Sequence, residues 1–249
     1  MIGLGTLLNM AAIVVGAGIG VLVGHRLPQR TRDLITQALG LVTLVVAALN
    51  VVALLDAEWI ADVGSAAPLL IVLGSVVLGG IIGSLLRLED RVERVGGWLQ
   101  ARVSRRSDGG SRARFIEGFV DASLLFCIGP LAILGALSDG LGQGIQQLAL
   151  KSVIDGFASI AFAASLGWGV AFSALSVGIV QGLFTVLGVL VGSVLAASAV
   201  ASITATGGVI LIGLSLRLLQ VSRIAVADLL PALVIAPVLT LVVAAWVTP

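Results

Sequence analysis

Ionisable residues lie inside the apolar stretches of this chain, and they are the first candidates for chemistry. Asp121 falls in the apolar run that begins near residue 115, while Lys151 and Asp155 lie four residues apart in the next run. A charge at the centre of a bilayer costs roughly 2.5–3.5 kcal/mol on insertion scales, so such groups normally face a cavity or a partner. Asp121 or Asp155 is therefore predicted to supply the charge for a bound cation, and an anionic solute would instead need Lys151.

A purely structural interpretation competes for these charges. Glu117 precedes Asp121 by four residues near the start of the same predicted helix, where acidic side chains favour the helix macrodipole. Lys151 and Asp155 have the spacing of a plain ion pair one helical turn apart. For Glu117 and Lys151 the structural interpretation is favoured, and for Asp121 and Asp155 both interpretations stay open. Asp139, at the far end of the fourth predicted helix, is kept with the site.

A helix breaker lies deep in the same apolar run, at Gly129-Pro130. Proline has no N–H, and its ring clashes with the carbonyl four residues earlier, so the Phe126 carbonyl loses its helical partner. In a membrane that carbonyl must be met by a neighbouring helix, by water or by a bound cation. A simple kink relieved by packing is the alternative. Phe126, Cys127, Gly129 and Pro130 are accordingly placed in the predicted ion-binding or solute-binding site.

The remaining polar residues do not form an enzyme constellation. His25 is the only histidine and follows the first apolar run among arginines, which is typical of an interfacial position. Cys127 has no histidine near it in sequence and is interpreted as a small packing residue. Ser159 is kept as a predicted binding residue. Supporting or gating positions are predicted at Glu117, Gly167 and Gln181. No cofactor and no catalytic residue is predicted, and the sequence identifies no metal.

The composition predicts that membrane-spanning helices position these residues. The chain has 249 residues, of which 59% are hydrophobic and 11% charged, whereas soluble domains carry roughly 25% charged residues. Apolar runs of about 18–25 residues match the length of a helix that crosses a bilayer. We predict an all-α polytopic bundle of eight helices, with seven as the alternative, in one transmembrane domain over residues 1–249. The predicted spans are 4–24, 35–55, 66–86, 115–137, 149–167, 170–196, 203–220 and 229–247. The short connection at Gly167-Trp168-Gly169 leaves open that one of its two flanking helices is re-entrant.

The distribution of basic residues predicts the orientation. Thirteen of the fourteen Lys and Arg residues fall after the first, third and seventh predicted helices, and only Lys151 falls on the other side. Basic residues near helix ends stay cytoplasmic, so both termini are predicted to be external. Residues 87–114 form a cytoplasmic arginine-rich loop. Its first part, to residue 103, is predicted as an amphipathic helix on the membrane surface, and residues 105–114 as a mobile tether. Anionic lipid, rather than nucleic acid, is the predicted contact of these arginines.

Short internal matches predict an inverted repeat. Residues 20–24 and 188–192 both read GVLVG, and similar matches place residues 1–86 against 170–249 around central helices at 115–167. Within the central pair, Glu117-Gly118-Phe119 matches Asp155-Gly156-Phe157, and in the same register Gly129 matches Gly167. Each central helix would then carry an acid near its start and a glycine break further along, as in carriers with discontinuous helices.

Several longer stretches resemble the bacterial YdfK/YqgA-like family of membrane proteins. These are the N-terminal GTLLNMAAIVVGAGIGVLVG and the central FCIGPLAILGALSDGLGQG, followed by LALKSVIDGFASIAFAASLGWGVAFSALSVGIVQG. The resemblance covers nearly the whole chain. It implies a multispanning protein of the bacterial inner membrane and no particular substrate.

The leading predicted function is a secondary transporter or permease for a small ion or polar solute, with its site at broken helices four and five. A passive ion channel would use the same residues, and a scaffold or lipid-interacting protein would use the acids only for local pairing. Glycines repeat every fourth residue at Gly16, Gly20 and Gly24, at Gly178 and Gly182, and at Gly188 and Gly192. Such stripes let helices approach closely, and one of them is predicted to serve a homodimer.

Overall fold

Long apolar helices form the framework of the protein. The computed structural model describes residues 2–103, 109–128, 130–191 and 196–247. Within these residues the regular structure is helical and contains no strand, which confirms the predicted all-α class. The helices are α1 (Leu4–Gly24), α2 (Gln29–Val51), α3 (Ala57–Val63), α4 (Ala67–Leu86), α5 (Leu88–Val103), α6 (Gly109–Cys127), α7 (Pro130–Gly140), α8 (Gln146–Leu166), α9 (Gly169–Val191), α10 (Ala197–Leu218) and α11 (Ala232–Val247). Short 3-10 turns extend α2 over Val52–Leu55 and precede α11 over Val226–Leu229.

Among the described residues, seven helical segments are long and apolar enough to cross a membrane, and the bent pair α6–α7 adds an eighth if it counts as one span. Each of them overlaps a predicted span, because the length of an apolar run alone determines whether a helix can cross the bilayer. The two helices beside Gly167 are both long and apolar enough to cross a membrane, so their length gives no support to a re-entrant segment there. The span that is interrupted is the α6–α7 pair, and its bend lies at the predicted proline.

The arginine-rich loop is more helical than predicted. Helix α5 confirms the amphipathic segment, with Val95 and Trp98 exposed and the Arg102 guanidinium 4.5 Å from the centre of the Trp98 ring. The mobile tether predicted for residues 105–114 is wrong in its second half, because α6 already begins at Gly109. Arg112 and Arg114 therefore belong to the first turns of the helix that forms the next candidate span. Arginine is a good helix former, and no proline separates these residues from the apolar run. Residues 104–108 lie outside the described residues.

The helices group into two compact units. Unit 1 comprises Met1–Gly40, Arg91–Cys127 and Leu131–Ser193. Unit 2 comprises Leu41–Asp90, Ile128–Pro130 and Val194–Pro249. Most of the predicted site falls in unit 1, which contains α1, α6, most of α7, α8 and α9.

Unit 1 is built on the close approach of α1 to α8. A Cβ atom built at Gly16 would meet the Gly156 carbonyl and the Ser159 hydroxyl, and one at Gly20 would meet the Ile160 carbonyl. The contact starts at Gly5 against Leu148 and ends at Gly24 against Ala164, so the two helices run parallel. The first glycine stripe is therefore used inside the chain. Homodimerisation through a stripe stays a prediction.

Unit 2 surrounds α10, the most deeply buried of the candidate spans, and is closed at both ends by polar contacts. At one end, Asp56 accepts a hydrogen bond from the Trp59 N–H at 2.9 Å and caps α3, whose Trp59 is fully buried. At the other end, Glu89 pairs with Arg217 and accepts from the Ala227 N–H at 2.8 Å, while its own N–H donates to Asp228 at 2.9 Å. These reciprocal bonds satisfy backbone groups that helix starts leave unpaired.

Candidate functional site

The centre of unit 1 contains a buried ion pair. The Lys151 Nζ lies 2.6 Å from Asp155 Oδ2, and both residues are more than nine-tenths buried, with relative exposures of 7% and 4%. The Asn9 side-chain amide of α1 donates to the same carboxylate oxygen at 3.0 Å. We call Asn9, Lys151 and Asp155 the charged triad. The predicted i,i+4 ion pair is confirmed, and it is joined by a partner 146 positions away in sequence.

Glycine packing brings this third member to the pair. Asn9 is fully buried on the face of α1 that contacts α8. Because the glycines of α1 allow backbone-to-backbone contact with α8, a short amide side chain suffices to reach Asp155. Sequence reasoning missed Asn9, although a signal was present: it is the only amide side chain in the first apolar run, and such a residue needs a buried partner.

Further buried polar atoms lie on α1 and α9, two helices that pack against each other. A Cβ built at Gly178 of α9 would meet Met10 of α1. Helix α9 follows α8 after a tight turn, so it runs antiparallel to α1. Gln181 lies one turn after Gly178, and Thr6 lies one turn before Met10, so the two residues are at a similar depth. Both are buried, and within the described part of the chain Thr6 Oγ1, Asn9 Oδ1 and both amide atoms of Gln181 have no hydrogen-bond partner. Oxygens in this state are available to a small ligand.

Asp139 has a structural contact that explains its burial. Its two carboxylate oxygens accept hydrogen bonds from the backbone N–H groups of Gly3 at 3.1 Å and Gly5 at 3.0 Å. These groups belong to the N-terminus of α1, where a negative charge also favours the helix dipole. Asp139 therefore anchors the start of the helix that holds Asn9.

This contact predicts the behaviour of Asp139→Asn. The amide can still accept one hydrogen bond but loses the charge, so we expect the folded state to lose about 1–3 kcal/mol. A lower melting temperature of the purified protein would record this loss. Glu58→Gln, which alters an exposed carboxylate in the first turn of α3, is the control and should lower the melting temperature much less. Equal melting temperatures for the two variants would contradict the anchoring role.

The broken span packs against α8, the helix that carries the ion pair. Helices α6 and α7 are bent by 64° relative to each other, which confirms an interruption at the predicted proline. The Phe126 ring packs edge-on against Phe162 of α8 with centroids 6.3 Å apart, and Cys127, the next residue, is half-buried. Gly129 is outside the described residues, and the freed carbonyl of Phe126 stays a prediction.

The companion break predicted in the fifth helix is wrong. Helix α8 is continuous over Gln146–Leu166, and Gly167 ends it with φ of 84°. Gly167 therefore forms the turn into α9 rather than a break inside a span. The glycine match with the fourth helix was misleading because a glycine without an adjacent proline keeps its N–H and need not interrupt a helix.

The other predicted residues occupy distinct positions. Asp121 is fully buried on α6, one turn after the half-buried Glu117. Ser159 is fully buried and donates to the Gly156 carbonyl at 2.8 Å, so it forms part of the α1–α8 contact. Helix α6 runs beside α9, where Ser123 and Ser176 share a hydrogen bond of 3.0 Å. The described residues contain no group of three or more His, Cys, Asp or Glu side chains placed to hold a metal.

The fold and the site define the class of protein: it is a helical membrane protein with a charged cluster buried in one of its two units. The chain belongs to the family described as Protein of unknown function (DUF554), which matches residues 4–241. The uncharacterized membrane protein YdfK of Bacillus subtilis (strain 168) is 29% identical over 242 residues, or 97% of each chain. The uncharacterized protein YqgA of Escherichia coli (strain K12) is 28% identical over 243 residues, or 98% of each chain. These matches confirm the resemblance, and no solved structure matches the chain.

Proposed function

We propose that this protein is a secondary transporter for a small monovalent cation, and that the charged triad is its binding site. The observation that carries the proposal is the burial of Lys151 and Asp155 inside an apolar span, with Asn9 completing their contacts. A buried ion pair is weak as a source of stability, because well-packed apolar side chains of similar volume are often as stable or more so. Intramembrane charges are better explained by a pathway for ions or protons.

The geometry suggests how a cation would be bound. Asp155 carries one negative charge, which Lys151 neutralises in the structure. An incoming cation would compete with the Lys151 ammonium for this carboxylate. Asn9 Oδ1, Thr6 Oγ1 and Gln181 Oε1 are further buried oxygens on α1 and α9 within unit 1, and they would complete the coordination. Oxygen ligands with a single carboxylate suit a proton or an alkali cation better than a transition metal, which prefers imidazole or thiolate ligands.

The composition of unit 1 supports the predicted inverted repeat. The repeat relates α1 to α9 and α8 to the α6–α7 pair, and all of these helices lie in this unit apart from the first residue of α7. Gly20 of α1 packs on α8, while its repeat equivalent, Gly188 of α9, packs on Leu137 and Gly140 of α7. Matched glycines thus contact matched helices. A repeat of this kind, with a discontinuous helix beside the site, is the architecture of many alternating-access carriers.

Flux across a membrane tests the transport proposal. The protein should be reconstituted into liposomes that contain a pH-sensitive dye, and then exposed to gradients of Na⁺, K⁺ or Li⁺. We expect at least one cation to move protons against their gradient, because exchange at a single carboxylate couples the two ions. Cation flux down its gradient that moves no protons would indicate a passive channel instead of a carrier. The absence of flux for every cation would favour the scaffold.

Orientation in the bacterial inner membrane is a separate prediction. With the native Cys127 replaced by Ser, single cysteines at the exposed positions Glu58 and Ala101 should differ in intact cells. A membrane-impermeant maleimide should label the Glu58→Cys variant and leave the Ala101→Cys variant unlabelled until the cells are opened. The reason is that thirteen of fourteen basic residues then lie on the cytoplasmic side. Labelling of Ala101→Cys from outside would reverse the orientation.

A further inference from the structure

A second polar feature of unit 1 lies far along α1 and α8 from the triad. A cavity of about 280 Å³ opens where α1 and α8 end and α9 begins. Its wall combines two guanidinium groups with an imidazole, an amide, a hydroxyl and an indole; these belong to Arg32, Arg114, His25, Gln100, Ser111 and Trp168. The triad is not part of this lining.

The positive charge of this cavity is not neutralised by the described residues. No carboxylate among the residues that the structure describes forms an ion pair with Arg32 or Arg114, and none lines the cavity. Arg32 donates through Nη2 to the Gly24 carbonyl at 2.7 Å, and its buried Nε has no partner in the described part of the chain. Among the residues that the structure describes, the hydrogen bond of Arg114 goes to the Gly110 carbonyl of its own helix, at 3.4 Å. Several N–H donors therefore remain for an external acceptor.

Helix-end geometry does not account for both arginines. Arg32 caps the C-terminus of α1, where a cation is favourable. That role uses one of its N–H groups and leaves the others. Arg114 lies in the second turn of α6, away from any helix C-terminus, so it has no capping role. A second cation at this place is better explained by an anionic ligand than by helix capping.

We propose that this cavity binds a phosphate-type oxyanion, either free or as the headgroup of an anionic lipid. Arginine donors arranged around one volume match the several acceptor oxygens of a phosphate group. The volume is at the lower end for ligand sites, which suits a phosphate or a headgroup and not a large metabolite. Trp168, half exposed at the rim, is a residue type enriched at membrane interfaces. This site is independent of the transport proposal.

Two arms of one binding experiment distinguish the sources. The full chain is purified in a neutral detergent and stripped of lipid. In the first arm, inorganic phosphate is titrated at constant ionic strength and the melting temperature is followed. In the second, native mass spectrometry compares the retention of phosphatidylglycerol and phosphatidylcholine with identical acyl chains. Preferential retention of phosphatidylglycerol identifies a lipid headgroup, while a rise in melting temperature with phosphate identifies a free oxyanion.

A matched pair of double variants ties binding to the cavity. Arg32→Gln with Arg114→Gln removes its two guanidinium groups, whereas Arg26→Gln with Arg30→Gln removes two charges outside it. We expect the first pair to weaken binding about tenfold or more, since the loss of one charge-assisted hydrogen bond already costs about a factor of ten in affinity. The second pair should bind like the wild type.

Two results would overturn the proposal. One is equal binding by the two double variants, and the other is the failure of the wild type to bind either probe. If the Arg32 variant does not fold, Arg114→Gln alone provides the test, because Arg114 is exposed and its replacement leaves the helix contacts intact. It should weaken binding several-fold in the arm in which the wild type binds, and unchanged binding would count against the site.

Discussion

Asp155→Asn should be the most damaging conservative substitution in unit 1. It removes the negative charge next to Lys151 and leaves a buried ammonium without its counter-ion. Breaking a buried ion pair on one side typically costs about 3–5 kcal/mol. We expect the purified variant to melt well below the wild type and to lose monodispersity on size-exclusion chromatography. Glu58→Gln, at an exposed position outside unit 1, should lower the melting temperature much less.

A double variant separates stability from function at the same place. Lys151→Met with Asp155→Leu removes both charges together and fills the space with apolar atoms. Because no buried charge is then uncompensated, the double variant should recover most of the melting temperature that the single variant loses. Asn9 loses its carboxylate acceptor in both variants, so a small deficit should remain. Equal instability of the single and double variants would contradict the assignment of the loss to the unpaired lysine.

Gly16→Val is expected to have the second large effect. The new Cβ would meet the Gly156 carbonyl and the Ser159 hydroxyl, both held in the body of α8, so α1 must move outward. Overpacking of this kind costs roughly 1–3 kcal/mol and more where the contacted atom is backbone. The same movement draws Asn9 away from Asp155. Flux should therefore fall together with the melting temperature.

Gly18→Val is the matched control for this substitution. Gly18 lies in the same helix two residues on, and a Cβ built there meets no atom within 4 Å. The two variants share the same change in helix propensity and hydrophobicity. We expect Gly18→Val to keep both the fold and the flux. Similar losses in the two variants would show that the loss comes from valine in the helix, not from the α1–α8 contact.

The membrane spans could be predicted from the sequence because each depends on local information. The length of an apolar run determines a span, and the three-to-four-residue spacing of apolar side chains predicts α5. The ion pair of Lys151 and Asp155 was also local, since its members are four residues apart. The proline break followed from the chemistry of one residue, Pro130.

The rest of the site depends on contacts between distant segments. The bond from Asn9 to Asp155 exists only because α1 lies against α8, and nothing near Asp155 in sequence indicates that partner. Asp139 was predicted to bind an ion, but its geometry is that of an anchor for the first N–H groups of α1. Gly167 was predicted as a break because a glycine match cannot distinguish a helix end from an interruption. The basic cavity likewise combines α1, α2, α5, α6 and the turn after α8.

The most direct test of cation transport at the charged triad is cation-driven proton flux through liposomes containing either the wild type or the Lys151→Met with Asp155→Leu double variant. Both proteins should be reconstituted at equal density after their monodispersity has been verified. We expect coupled flux for the wild type and none for the folded double variant, because the carboxylate that binds the cation is gone. Coupled flux at the wild-type rate through the folded double variant would contradict cation transport at the triad.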